Sequence, residues 1–229
     1  TRQLRKYPRE ILTSDSQNGY VCSASSIYSG YDPHLAFNNT ITDASGHAAT
    51  VWTSTGTSPS NSYDGTDNAY NSSGTSSLGG ISGEWLKLKL PSATAPVYTR
   101  IYPRTWPVAG NQQSPEDFTF LASKDDSTWT VLGNVTGWVN NGTWGQWDIE
   151  SATEYTYYAV VFTRTVASSI VGLAEWEIHG YESAKGDGQD VRLRAHANAP
   201  NTDFLEVHFD ANVVGSYPGS GTTLTDLSG

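Results

Sequence analysis

The chain has 229 residues, of which 37% are hydrophobic, 12% aromatic and only 16% charged, with 22 glycines. That composition excludes a disordered chain, which carries fewer aromatics and more charge, and suits short strands joined by polar turns. The formal net charge of −10 excludes a nucleic-acid partner, whose phosphates would be repelled.

Residues 1–12, TRQLRKYPREIL, bring together Arg2, Arg5, Lys6 and Arg9 and read as a basic linker or an arm lying on a neighbour. From Tyr20 onward strand signals dominate, beginning with YVCSASSIYS. Its Cys22 is the one cysteine, which excludes an internal disulfide and reads as a small buried side chain. Residues 53–83 are rich in Ser, Thr, Gly and Asn, and a run that long inside a domain reads as a protruding loop. GEWLKLKLP (83–91) alternates, with Leu86, Leu88 and Leu90 turned inward and Trp85, Lys87 and Lys89 on the opposite face. VYTRIYPRT (97–105) is the next strand, and DFTFLASKDDSTWTVLG (117–133) is a hairpin that turns at Lys124–Ser127.

EYTYYAVVFTRT (154–165) and LAEWEIHGYE (173–182) complete the domain. In the last of these, alternation places Ala174, Trp176 and Ile178 on one face and Leu173, Glu175, Glu177 and His179 on the other. No segment carries a capped 3.6-residue period, so no long helix is expected. No apolar run is long enough to span a bilayer as a helix, and no signal-peptide pattern is present. SAKGDGQD (183–190) is the predicted linker, and 191–229 begins new strands that stop in a turn, as in a piece of a longer polypeptide.

The paired Glu175 and Glu177 raise the question of acid/base chemistry. Glycosidases hold two carboxylates on opposite sides of a bound bond, with one of them raised by burial. Two neighbours on the outer face of one strand offer neither. GxSxG, HExxH, P-loop and CxxC signatures are all missing from the sequence. Trp52, Trp85, Trp129 and Trp176 lie inside strand motifs and read as core packing, whereas Trp106, Trp138, Trp144 and Trp147 lie in segments that look like loops. Four sequons, at Asn38, Asn71, Asn134 and Asn141, fit what chance supplies in so Ser/Thr-rich a chain.

The order AFNNTITDASGHAATVWTS, GEWLKLKLP, YPRTW, SPEDFTFLASKDDSTWTVL, EYTYYAVVF, LAEWEIHGYE resembles the discoidin-type (coagulation factor 5/8 C-terminal) domain and its relatives in carbohydrate-binding module family 32. The resemblance covers roughly 7–182 and implies an all-β, galactose-binding-domain-like jelly-roll sandwich over 13–182, with ligand loops at one end. FLEVHFDANVVGSYPGSGTTLTDLSG resembles the opening strand of a concanavalin A-like domain over 191–229. The pair is similar in arrangement to surface or capsid-associated proteins of large algal DNA viruses.

That resemblance implies a non-enzymatic module on a virion surface, or otherwise extracellular. It would bind host-surface glycan, alongside other capsid proteins and further copies of itself. The alternatives are a capsid-associated structural protein and the accessory module of a secreted polysaccharide-degrading enzyme. Arg104, Trp106 and Asn111 fall in the loop after the third major strand, where the sugar-binding relatives place an Arg and an Asn. His34 and His47 lie in the first loops, near which those relatives use a His. Trp106 and Trp144 are candidates among the loop tryptophans because a sugar's apolar C–H face suits an aromatic ring. A structural calcium ion is implied between the first loop and the last strand. Its candidate ligands are the carbonyls of Phe37 and Ala174 with Asn38, Thr40, Asp43 and Glu175. Asn38 stands where the relatives commonly carry Asp, and a neutral donor weakens such a site. Without a cation, Glu175 would instead accept hydrogen bonds from loop amides, and Glu177 would simply be solvated.

Overall fold

A computed structural model describes residues 3–41, 51–54, 70, 76–105, 113–138, 142–168 and 170–182. The chain divides between Ser183 and Ala184. The predicted linker at 183–190 and the concanavalin A-like start at 191–229 lie outside the described residues.

In chain order the strands are β1 (Leu4–Tyr7), β2 (Ser16–Gln17), β3 (Tyr20–Ala24), β4 (Trp52–Thr53), β5 (Ser77–Leu78), β6 (Ile81–Ser82), β7 (Glu84–Pro103), β8 (Pro115–Ser123), β9 (Trp129–Val135), β10 (Gly145–Asp148), β11 (Tyr155–Thr165) and β12 (Gly172–Glu182). A short 3-10 turn, Pro33–Phe37, lies between β3 and β4. No helix among the described residues is long and apolar enough to cross a membrane.

The two strands expected at 83–91 and 97–105 are one strand, β7, that serves both layers of a sandwich. Its first half pairs with β3 on one side and β11 on the other, and β8 and β9 extend that layer beyond β11. Its second half pairs with β12 and β10, and β1 adds to the far edge of β12. Every one of these pairings is antiparallel. The linking residues Pro91–Ala93 are where the strand changes layer. Proline has no N–H to give a ladder there, and Pro91 is exposed.

Both inner faces meet in one core. Leu86, Leu88 and Leu90 alternate into it from β7, and Trp52, Trp176, Phe162, Tyr158 and Ile178 are sealed beside them. Each such aliphatic side chain contributes about 1.5–3 kcal/mol by leaving water. The buried Trp176 indole donates to Thr99 Oγ1 at 2.8 Å, and Thr99 in turn donates to the Glu177 carbonyl at 2.8 Å, so these polar atoms inside are paired.

Four expectations change. Alternation predicts that Leu173 shares a face with Glu175, yet Leu173 lies in the main core. A register shift between Leu173 and Glu175 inserts one extra residue and flips the alternation, and Ala174 then packs in a small cluster with Val51, Tyr31 and Tyr102. Part of the basic N-terminal segment is strand β1, and Tyr7 and Leu12 are each only 1% exposed. The end of the predicted protruding loop, 76–83, is a β5–β6 hairpin whose Leu78 and Ile81 pack on Leu121, Ala159 and Val161 from the outside of the β7/β11/β8 layer. Trp85 and Trp129 join this outer cluster instead of the main core.

The tryptophans predicted in loops also separate. Trp147 is on β10, and Trp138 and Trp147 pack with Phe118 at ring separations of 5.8 and 5.1 Å. Both are partly buried and pack against the main core. Trp144 faces outward, and Trp106 lies outside the described residues.

Candidate functional site

Several connections are tied into one rim by backbone hydrogen bonds. Tyr28 N donates to Thr53 O at 3.0 Å, Ser54 N to Val171 O at 2.9 Å, Arg104 N to Gly172 O at 3.0 Å and Gly172 N to Gln113 O at 2.9 Å. The loop after β3, the end of β4, the end of β7, the start of β8 and the start of β12 therefore meet at one end of the sandwich. Gly172 is required there, because a Cβ would sit 2.9 Å from Thr53 Cγ2 and 3.0 Å from Arg104 Cβ.

Arg104 is the charged centre of this rim, and it is 4% exposed. Its Nη1 donates to Gln113 Oε1 at 2.8 Å, and its guanidinium lies 4.9 Å from the Tyr31 ring centroid. Burial pulls this guanidinium below its ordinary value, and Tyr31 opposes that pull. An arginine stays charged under such conditions, so the rim holds a desolvated cation braced by a ring. Tyr31 meets Tyr28 edge-on at 5.4 Å, and Tyr28 is 46% exposed. The tyrosines in SSIYSGYD escaped sequence reasoning. Their only available signal was aromatic residues inside a turn-rich loop.

The other predicted ligand residues are distributed differently. His34 is held by Asp15: its backbone N donates to Asp15 Oδ1 at 3.0 Å and its Nδ1 sits 2.9 Å from the same oxygen. Trp144 stands around the corner on the outer sheet face, with Arg100 over its ring at 4.3 Å and Tyr102 edge-on at 5.5 Å. His47, Trp106 and Asn111 lie outside the described residues.

Glu175 and Glu177, expected to face water, are 2% and 6% exposed. Glu177 is not merely solvated. His179 Nε2 is 2.9 Å and Arg100 Nη1 3.3 Å from its Oε2, and Lys6 Nζ is 3.6 Å from Oε1. Burial alone would raise this carboxyl, but the His179 hydrogen bond, Lys6 and Arg100 outweigh it and hold the group below its ordinary range. Burial pushes Glu175 up to about 8, against the pull of Lys6 and of the Asn39 amide. Two carboxyls driven apart in this way resemble an acid/base pair. Both oxygens of Glu177 are nevertheless engaged by cations, which leaves it unsuited to take a proton from water.

The calcium set can be tested against the loop's own hydrogen bonds. The Phe37 carbonyl accepts Leu12 N–H at 3.1 Å, and Asn38 Oδ1 accepts Thr40 N–H at 2.8 Å. The Asn38 carbonyl accepts the Thr40 hydroxyl at 3.3 Å, and Glu175 Oε2 accepts Asn39 N–H at 2.8 Å. Lys6 Nζ, 3.3 Å from Asn39 Oδ1, already supplies a positive charge beside the loop. Phe37, Asn38 and Thr40 thus come together with Glu175. The Phe37 and Asn38 carbonyls, Asn38 Oδ1 and Glu175 Oε2 each already accept a hydrogen bond, which a hard cation needing six to eight oxygens would have to share or displace. Asp43 lies outside the described residues, among which no cluster of three or more His, Cys, Asp and Glu side chains could hold a metal.

No protein-family model matches the chain, and no curated protein matches it in sequence. Solved structures match its shape. CpGH89CBM32-5 from Clostridium perfringens, in complex with GalNAc-β-1,3-galactose, superposes with a TM-score of 0.50 at 13% identity, over 70% of this chain and 94% of that one. The family 32 carbohydrate-binding module of C. perfringens NanJ, in complex with galactose, gives 0.49 at 17% identity over 70% and 93%. Chitosan-binding module 1 from the chitosanase/glucanase of Paenibacillus sp. IK-5 gives 0.47 at 17% identity over 71% and 96%. At 13% identity a likeness speaks to architecture alone, and it agrees with the strand order above: this chain carries an antiparallel, galactose-binding-domain-like β-sandwich.

Proposed function

We propose that the sandwich is a non-enzymatic glycan-binding module whose rim, built on Tyr28, Tyr31 and Arg104, meets the sugar. One observation carries this reading: a buried guanidinium braces an aromatic pair whose outer ring is 46% exposed at the loop end of the fold. A pyranose offers an apolar C–H face to a ring and hydroxyls to fixed polar groups, which is what such a rim supplies. Arg104 acts here by holding Tyr31 and Gln113 in place. The fold shared with CpGH89CBM32-5 supports the reading without assigning a sugar.

A glycan array probed with the chain displayed in many copies tests it, because a shallow single site is weak and multivalency compensates. Retention of a glycan by the parent chain, falling about tenfold in Tyr28→Ala with Tm unchanged, is the expected result. An array on which nothing is retained, or on which Tyr28→Ala is retained equally well, overturns it. The setting we propose is a virion surface attached to host glycan, supported by the order of the two sandwich motifs in the sequence. Labelled antibody against the chain should then decorate intact particles. Its absence from them, together with a catalytic domain elsewhere in the same polypeptide, would favour the accessory module of a secreted polysaccharide-degrading enzyme.

A further inference from the structure

We propose that the outward face of the β1/β12/β7/β10 layer is a second carbohydrate-binding surface, separate from the rim, that takes the interior of an uncharged oligosaccharide chain. The inference rests on the glycan-binding reading above, and it comes from the register of four strands. Gln146 lies opposite Arg100 and Asp148 opposite Tyr98 on one side of β7. Glu177 lies opposite Arg100 and His179 opposite Tyr98 on the other, with Lys6 beyond His179 on β1. Directly opposed residues share a face, so these side chains form one surface.

Two aromatic platforms mark its length. Trp144, just ahead of β10, has the Arg100 guanidinium over its ring at 4.3 Å and the Tyr102 ring edge-on at 5.5 Å, and it remains partly exposed. Tyr102 is itself fixed, its hydroxyl donating to the Gly142 carbonyl at 2.5 Å. Tyr98 stacks flat on His179 with ring centroids 4.3 Å apart and an interplanar angle of 13°. Trp144 adds nothing to the main core, unlike its neighbour Trp147. A solvent-facing position beside β7 is served as well by a small polar residue, so an indole held there in one orientation asks for a ligand.

Tyr98 and Tyr102 are four residues apart on β7, roughly 13 Å at about 3.3 Å per residue. A single sugar ring cannot reach both platforms, but a chain lying along the strand can. Between them, Arg100, Gln146 and Asp148 offer forked donors and acceptors for hydroxyls. The fixed charges balance, with Lys6 and Arg100 set against Glu177 and Asp148, so the surface favours an uncharged chain over a uronate or a sulfated one.

The test is calorimetric titration of the full chain with galactose, with β-1,4-galactan, cellulose and mannan oligosaccharides of increasing length, and with polygalacturonate. The expected result is affinity that grows with length for at least one neutral series. Trp144→Ala should flatten that growth and lower oligosaccharide affinity about tenfold. Gln146→Ala, an exposed substitution that leaves the fold untouched, should weaken the same ligands in the same order. Tyr28→Ala should lower every affinity in the series yet keep the length dependence. Binding without length dependence, equal binding by both sheet-face variants, or tighter binding of polygalacturonate overturns the second surface. Binding lost in Tyr28→Ala but kept in both sheet-face variants overturns it while leaving the rim reading intact. Failure of the parent chain to bind any of these glycans overturns both.

Discussion

Replacing Glu175 by Gln should remove a pH dependence of stability that the buried carboxyl creates. Glu175 is 2% exposed, and burial raises it to about 8 from an ordinary 4.5. A raised carboxyl keeps its proton in the folded chain while the unfolded chain has already released it. Its favourable contribution is therefore complete below about pH 4.5, and it is lost as pH rises through the folded value. The slope is about 1.4 kcal/mol per pH unit, so moving from about pH 5 to about pH 7 should cost the parent on the order of 2–3 kcal/mol. Glu175→Gln keeps the shape and can still accept the Asn39 amide, and it should show no such loss. Urea denaturation of both proteins across this range, in chelator, measures the difference. Parallel pH profiles, or a parent that gains stability relative to the Glu175→Gln variant as pH rises, would refute the reasoning. So would calcium: a bound cation would ionise Glu175 and stabilise the parent by about 2.7 kcal/mol at a hundredfold excess over its Kd, and with the loop oxygens already hydrogen-bonded no such gain is expected.

Trp176→Phe removes the indole N–H from Thr99 Oγ1 and opens a small void in the core. It should cost about 2–4 kcal/mol, read as a lower urea midpoint at constant m-value, and a change within error would remove the Trp176–Thr99 pair from the account of the core. Cys22 is 4% exposed, and burial drives its thiol far above the ordinary value. It should ignore a thiol-specific chromogenic reagent in the folded protein and react once the chain is unfolded in urea; fast stoichiometric labelling of the native chain would contradict its burial.

The resemblance led to the fold, and local pattern led to most of its strands. Strict alternation in EWLKLKL shows which side of β7 is inward, and KDDS is a turn because Asp125 Oδ1 collects the amides of Ser127 and Thr128 at 3.0 and 2.8 Å. Alternation around Trp147 and Ile149 also carried the β10 signal, although the surrounding Gly and Asn residues hid it. Two-residue periodicity cannot see an inserted residue, so the bulge that sends Leu173 inward and Ala174 to the rim was invisible. Nor does it say which strand lies beside which. That is why Lys6 and Arg100, distant in sequence, reach Glu177 beside its strand neighbour His179 only in three dimensions. Arg104 could be named from sequence because the resemblance places an arginine in its loop. Its burial against Tyr31, the exposure of Tyr28 and the placing of Trp144 beside Arg100 depend on how two layers and several loops close on one another, and only the tertiary structure decided them.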